Sequence, residues 1–192
     1  LERDCAIEIQ NLIQVFNKYN VTIFRPENIK GLNQIFSRDI AFVIANKLIL
    51  PNIIEFRQKE TEAIDTLLDN ISDSDKIIPP KNARVEGGDV ILYGDYIFVG
   101  YSEDKDFEKF TVARTNRAGL DFLSYSFPEK KVKGIQLNKS DDDPRFNTLH
   151  LDCCFQPIGK NMAILHEAGF KNKEDFIFLT NIFGKKNVIE IS

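Results

Sequence analysis

Apolar and polar positions follow one pattern that recurs three times along the chain. The first copy runs from Arg38-Asp39 through Ile40, Phe42 and Ile44, turns at Asn46-Lys47 and continues as Leu48-Ile49-Leu50. The second runs from Gly88-Asp89 through Val90-Ile91-Leu92-Tyr93, turns at Gly94-Asp95 and continues as Tyr96 to Val99. The third runs from Leu151-Asp152 through Cys153-Cys154-Phe155, turns at Gly159-Lys160-Asn161 and continues as Met162 to Leu165. Each predicts an acid-started strand, a tight turn and a second strand. Helical spacing follows each hairpin, at Ile64, Leu67 and Leu68, at Leu120 and Leu123, and at Phe176, Leu179 and Phe183. A closing strand then comes at Lys76–Ile78, at Val132–Leu137 and at Asn187–Ile191. The predicted unit is therefore ββαβ. Ahead of the first copy, Ile9, Leu12, Ile13 and Phe16 predict an amphipathic helix over residues 2–19, and Val21–Phe24 a strand. The expected organisation is a single domain, 1–192, of about three and a half units: a partial unit over 1–30, then units over about 31–80, 81–138 and 145–192. Generic α+β order with coincidental hairpins is the alternative. The acid heading every hairpin argues against it, because β-propensity alone would not place an Asp there.

Composition narrows the function classes. With 43% apolar and 28% charged residues the chain reads as an ordinary soluble globular protein. A net charge of −4, with only short basic pairs such as Lys130-Lys131 and Lys185-Lys186, argues against nucleic acid as a partner. No apolar run approaches the roughly 20 residues of a membrane helix, so no membrane partner is expected. The cysteines Cys5, Cys153 and Cys154 are odd in number and two are adjacent, a poor disulfide framework that favours a reducing, cytoplasmic location. Cys153 and Cys154 read as small apolar core residues. The chain opens at Leu1 inside a helical pattern, and the expectation is a portion of a longer protein.

Three clusters carry candidate chemistry. Glu86-Gly87-Gly88-Asp89 sets two acids around two glycines, which allow unusual backbone angles and the close approach of a ligand. Strand alternation would put His150 and Asp152 on one face, where an imidazole and a carboxylate suit proton transfer and cation holding. Ser37-Arg38-Asp39 again puts an acid at the mouth of a hairpin. If the repeats surround an axis, Asp39, Glu86, Asp89 and Asp152 converge, and gathered acids need a cation. A planar guanidinium fits such a set through paired, directional donors. A divalent metal is the rival, but there is no calcium-loop spacing, no CxxC, and no histidine two or four positions from His150. No metal and no cofactor are expected.

The ordered set Ser-Arg-Asp at 37–39, Glu-Gly-Gly-Asp at 86–89, Val99-Gly100-Tyr101-Ser102 with Arg114-Thr115-Asn116, and His150-Leu151-Asp152 resembles the guanidino-group-modifying superfamily. That superfamily includes arginine deiminases, dimethylarginine dimethylaminohydrolases and glycine amidinotransferases. The resemblance implies an α/β-propeller (pentein) of ββαβ units, incomplete in this chain. It implies that Glu86 pairs with a substrate guanidinium, that His150 is the general acid/base, and that Asp39, Asp89 and Asp152 lie on the substrate side. Arg57 and Arg114 match positions that hold a substrate carboxylate, although Arg57 sits at a charged helix start and Arg114 would serve equally to brace a loop. The superfamily's nucleophilic cysteine lies near the C-terminal end, and none of the three cysteines here matches it, so it is expected outside this chain. The implied activity is an amidinotransferase or an arginine deiminase-like hydrolase with a small guanidino substrate and a covalent amidino intermediate. A homodimer is compatible with it. An acid at Asp152 favours an unsubstituted guanidine, because a methylated nitrogen has fewer protons to donate. The alternative function is a non-catalytic propeller-fold binding module such as a ribosome-associated factor.

Overall fold

The computed structural model describes residues 2–191. It contains three three-stranded sheets of one design. In the first, β1 (Phe42–Ile44) pairs antiparallel with β2 (Lys47–Ile49), which pairs parallel with β3 (Lys76–Ile77). The second repeats this with β4 (Val90–Tyr93), β5 (Tyr96–Tyr101) and β6 (Lys131–Gln136). The third does so with β7 (Phe155–Ile158), β8 (Met162–Leu165) and β9 (Val188–Glu190). The hairpins close on left-handed residues: Ala45 at φ 54°, Gly94 at φ 55° and Gly159 at φ 57°. Glycine adopts that conformation without a Cβ penalty.

A helical crossover joins the second and third strands of each sheet, as a parallel pairing requires. In the first sheet the crossover is mostly 3-10 helix, Glu55–Ile64, ending in the short α-helix Asp65–Leu68. In the second sheet it holds two α-helices, Asp104–Lys109 and Arg117–Ser126, and in the third the α-helix Lys173–Phe183. Asn116 caps the Arg117–Ser126 helix, its side-chain oxygen accepting from Gly119 N–H at 2.9 Å and from Arg84 N–H at 3.0 Å. Gly119 lets that helix sit against the preceding loop, since a Cβ there would lie 2.0 Å from the Arg84 carbonyl.

The second sheet is buried on both faces. Val90, Ile97, Val99 and Tyr101 pack with Phe42, Ile44 and Ile49 of the first sheet and with Leu120 and Leu123. The alternate positions Ile91 and Phe98 pack with Phe155, Ala163 and Leu165 of the third sheet and with Leu179 and Phe183. This is the period-two alternation of a strand between two apolar layers.

Three expectations need correction. Val21–Phe24 is not a strand: no pairing partner faces it among the described residues, and Val21 and Phe24 are exposed. The helix ahead of it, Glu2–Lys18, forms as expected, but Ile9, Leu12 and Phe16 remain exposed. The hairpin acids do not start strands. Asp39 lies in a one-turn helix, Ser37–Ile40, while Asp89 and Asp152 lie in 3-10 turns, Gly87–Asp89 and Leu151–Cys153. These tight turns close by local bonds, Asp89 N–H to Glu86 carbonyl at 3.0 Å and Cys153 N–H to His150 carbonyl at 3.1 Å.

Candidate active site

The three acid-bearing turns meet at one place, because the double glycine removes the side chains that would keep them apart. A Cβ on Gly87 would stand 2.0 Å from the Arg38 carbonyl oxygen. One on Gly88 would stand 2.8 Å from the His150 ring and 3.0 Å from Asp39 Oδ1. Neither glycine has a positive φ. The motif therefore needs space rather than unusual backbone angles, and what approaches it is the chain's own Arg38 and His150. Gly88 N–H also donates to Asp39 Oδ1 at 3.0 Å.

Above this junction opens a cavity of about 590 Å³, walled by Asp39, Arg57, Glu60, Arg114, His150 and Asp152, with Phe36 and Phe56 at its sides. Glu86 lies just beneath and is fully buried. Its Oε1 accepts from Ile54 N–H at 2.9 Å and its Oε2 meets His150 Nε2 at 2.8 Å. An ionised carboxylate only accepts, so Nε2 carries the hydrogen there. Burial works against the charge of both partners. It is outweighed in Glu86 by the bonds from His150 and Ile54, which hold its carboxyl below the usual range. In His150 it is outweighed by Glu86, Asp89 and Asp39, which push the imidazole above its ordinary value.

Arg57 is heavily engaged. Its Nε and Nη2 donate to the two oxygens of Glu60 at 3.0 and 2.9 Å, and its Nη1 donates to Asp39 Oδ2 at 2.8 Å. These bonds spend three of its five N–H groups. The Glu60 bond, partly offset by burial, raises the guanidinium pKa. Arg57 also lies 3.6 Å from Glu86 Oε2 and over the Phe36 ring. Arg114 is less satisfied. Its Nη1 donates to the Thr111 carbonyl at 3.2 Å, while its Nε is buried without a hydrogen-bond partner, 3.7 Å from Glu86 Oε2. Burial lowers its pKa.

His150 and Asp152 share the cavity by a route other than strand alternation. His150 has extended backbone and is buried, whereas Asp152 is in the following turn and is exposed to the cavity. Partial withdrawal from water raises the Asp152 carboxyl. Asp89 does not reach the cavity. It is buried behind it, accepting from Leu151 N–H at 3.0 Å and from the Thr115 hydroxyl at 2.6 Å. Cys154 is buried as expected, but Cys153 is exposed on the cavity wall rather than in the core, because the 3-10 turn swings it outward. Burial raises the pKa of both thiols, so neither is poised as a thiolate.

Asp39, Glu86 and His150 hold one donor atom each within 4.8 Å of one another, a spacing that suits a small cation. The Arg57 guanidinium already brings positive charge to Asp39 and Glu86. Glu60, Phe36 and Phe56 were not evident from the sequence as cavity residues. The i, i+3 spacing of Arg57 and Glu60 on a helical turn was the available signal for Glu60. Among the described residues no helix is long and apolar enough to cross a membrane.

The chain is similar to known proteins in sequence and in fold. The YkgA protein of Bacillus subtilis (strain 168), itself uncharacterized, is 26% identical over 201 residues. The match covers 94% of this chain and 64% of YkgA, so the chain spans less than two thirds of that relative's length. The N-terminal domain of ArgZ, described as an arginine dihydrolase from the ornithine-ammonia cycle in cyanobacteria, superposes with a TM-score of 0.74 over 98% of this chain and 65% of its own, at 17% identity. The Pseudomonas aeruginosa dimethylarginine dimethylaminohydrolase, solved with citrulline, superposes with a TM-score of 0.61 over 83% of this chain and 53% of its own, at 21% identity. The fold is the pentein fold of these guanidino-modifying proteins. The family model described as N,N dimethylarginine dimethylhydrolase, eukaryotic, matches residues 1–192, and the chain belongs to that family.

Proposed function

We propose that the protein carrying this chain hydrolyses the guanidino group of arginine or a close relative. The observation that carries this reading is a single cavity walled by Asp39, Asp152 and His150, with Glu86 bonded to the imidazole from beneath. Asp39 and Asp152 are the carboxylates that face a bound guanidinium, whose N–H groups lie in one plane and pair with acids on its edges. Arg114, which spends one N–H on the Thr111 carbonyl, has donors left to take a substrate carboxylate, and the two unspent N–H groups of Arg57 support it.

A cysteine thiolate from outside this chain attacks the central guanidinium carbon. The C–N bond to the departing amine breaks as His150 gives that nitrogen a proton, leaving a cysteine-bound amidino group. The neutral imidazole then takes a proton from water, whose oxygen attacks the same carbon, and the C–S bond breaks to return the thiolate. The Glu86 pair supports the first step by keeping the imidazole protonated. The aligned carboxylates hold the cation through both steps without reorganising. Three free cysteines suit a cytoplasmic, reducing setting.

The family description points to dimethylarginine, whereas Asp152 favours an unsubstituted guanidine. Incubating the full-length protein with arginine and with N,N-dimethylarginine decides between them. Citrulline with ammonia from arginine, formed faster than citrulline with dimethylamine from the methylated compound, is the expected result. Preference for the methylated compound overturns the arginine reading, and product formed only when glycine is added identifies an amidinotransferase.

A further inference from the structure

The segment that carries His150 is gripped from both sides. Ahead of it, the Lys139 ammonium donates to the carbonyls of Thr148 and Leu149, each at 2.7 Å. Behind it, Leu151 N–H donates to Asp89 Oδ1 at 3.0 Å. The other oxygen of Asp89 accepts from the Thr115 hydroxyl at 2.6 Å, and that hydroxyl accepts from Glu86 N–H at 3.1 Å. The backbones next to His150 and at Glu86, 64 positions apart in sequence, are thus tied to one buried carboxylate. Gly100 makes room for it: a Cβ there would stand 2.5 Å from Asp89 Oδ1 and 2.9 Å from the Leu151 Cβ. Asp89, Thr115 and Lys139 are all absent from the cavity wall.

We propose that Asp89, Thr115 and Lys139 form a clamp of positioning residues that sets His150 Nε2 on Glu86 Oε2 and so fixes the acid–base geometry of the site. This rests on the reading that His150 is the proton carrier. A buried carboxylate with a donor on each oxygen resists displacement, because moving either donor leaves an unpaired polar group out of water. Two anchors also bracket His150 in sequence, so the backbone that carries the imidazole cannot shift without breaking one of them. A general core-stabilising role would require none of these bonds to converge on residues flanking His150 and Glu86.

The test uses the full-length protein with Thr115→Val, Asp89→Asn and Lys139→Met. Three quantities are measured: steady-state kinetics on arginine, thermal unfolding, and imidazole NMR after 15N-histidine labelling. The chain holds two histidines, His150 and His166, and the variants His150→Gln and His166→Gln assign their signals in the full-length protein. Thr115→Val keeps the side-chain volume and supplies a folded variant if the charged positions do not tolerate change. The expected result is a kcat lower by about tenfold to hundredfold with KM within about threefold. The hydrogen-bonded Nε2–H signal of His150 weakens or disappears, while His166 is unmoved. Folded variants with wild-type kcat and an unchanged His150 signal overturn the clamp. If the wild-type protein turns over no guanidino compound, the functional reading falls by itself. The NMR signal then decides the clamp, an unchanged signal rejecting it and a lost signal supporting it.

Discussion

The Glu86–His150 contact joins two residues whose charges each raise the other's stability, and this gives the protein a pH signature. The folded state raises the His150 pKa above 6.5 and lowers that of Glu86 below 4.5. The His150 contribution is complete below its unfolded value and is lost as pH rises through the raised folded value. The Glu86 contribution is complete above its unfolded value and is lost as pH falls through the lowered folded value. Both operate together in the mildly acidic window between 4.5 and 6.5. Replacing His150 by Gln is therefore expected to destabilise the protein more at about pH 5.5 than at about pH 8.5, as read from urea unfolding midpoints. A loss independent of pH would mean that the imidazole contributes by packing alone. Asp89 illustrates the limit of residue-level reading. Its place beside Glu86 in the motif suggested a ligand contact, yet both its oxygens are spent on Leu151 and Thr115. Sequence order says that an acid is present at a turn; which way its carboxylate points depends on donors 26 and 62 positions away.

At the scale of elements, Asn116 shows how a cap also serves the site. Its side-chain oxygen receives N–H groups from Gly119 and Arg84, and its amide donates to the Asn82 carbonyl at 2.8 Å. It thus starts the Arg117–Ser126 helix and pins the loop that leads to Glu86. Asn116→Ala is expected to cost about 1–2 kcal/mol from the cap alone, measured by denaturant unfolding, with a fall in activity as that loop loosens. Stability within about 0.5 kcal/mol of wild type would show that the cap is dispensable. The hairpins were legible because strand alternation is a local signal, reinforced by glycine in two of the three turns, Gly94 and Gly159. The crossover helices were legible because they keep one apolar stripe, Leu120 with Leu123 and Leu179 with Phe183. The turns at 87–89 and 151–153 were not, because a short run of acid, glycine and apolar residues satisfies strand alternation as well as a 3-10 turn, and a contact across the sheets decides between them. Val21–Phe24 failed for a related reason: its β-branched and aromatic residues suit a strand, but strand formation requires a partner. Cys153 and Cys154 are adjacent and chemically identical, and only the turn separates the exposed one from the buried one.

At the scale of the molecule, the site exists only where units meet. Asp39 comes from the turn before the first sheet, Glu86 and Gly88 from that before the second, and His150 from that before the third. No single unit holds two of the three groups Asp39, Glu86 and His150, so the packing between sheets fixes their separation. Phe155 is central to that packing between the second and third sheets. It is 1% exposed, lies edge-on to Phe98 with centroids 5.3 Å apart, and meets Phe183 at 5.8 Å. It is also three residues beyond Asp152, at the start of β7. Phe155→Ala removes the ring from a close-packed layer and is expected to cost about 3–5 kcal/mol, a large fraction of the roughly 5–15 kcal/mol that holds a domain together. Phe146→Ala is the control, because Phe146 is 63% exposed and its loss should stay within about 0.5 kcal/mol. Urea unfolding of both variants gives the stability comparison, and the His150 Nε2–H signal of folded Phe155→Ala reports whether the third sheet has drifted from the second. A large stability loss with an unmoved imidazole signal would show that the glycine-lined junction holds the site without the inter-sheet core. A weakened signal would show that the aromatic layer sets the distance between Glu86 and His150, which makes the core part of the acid–base machinery.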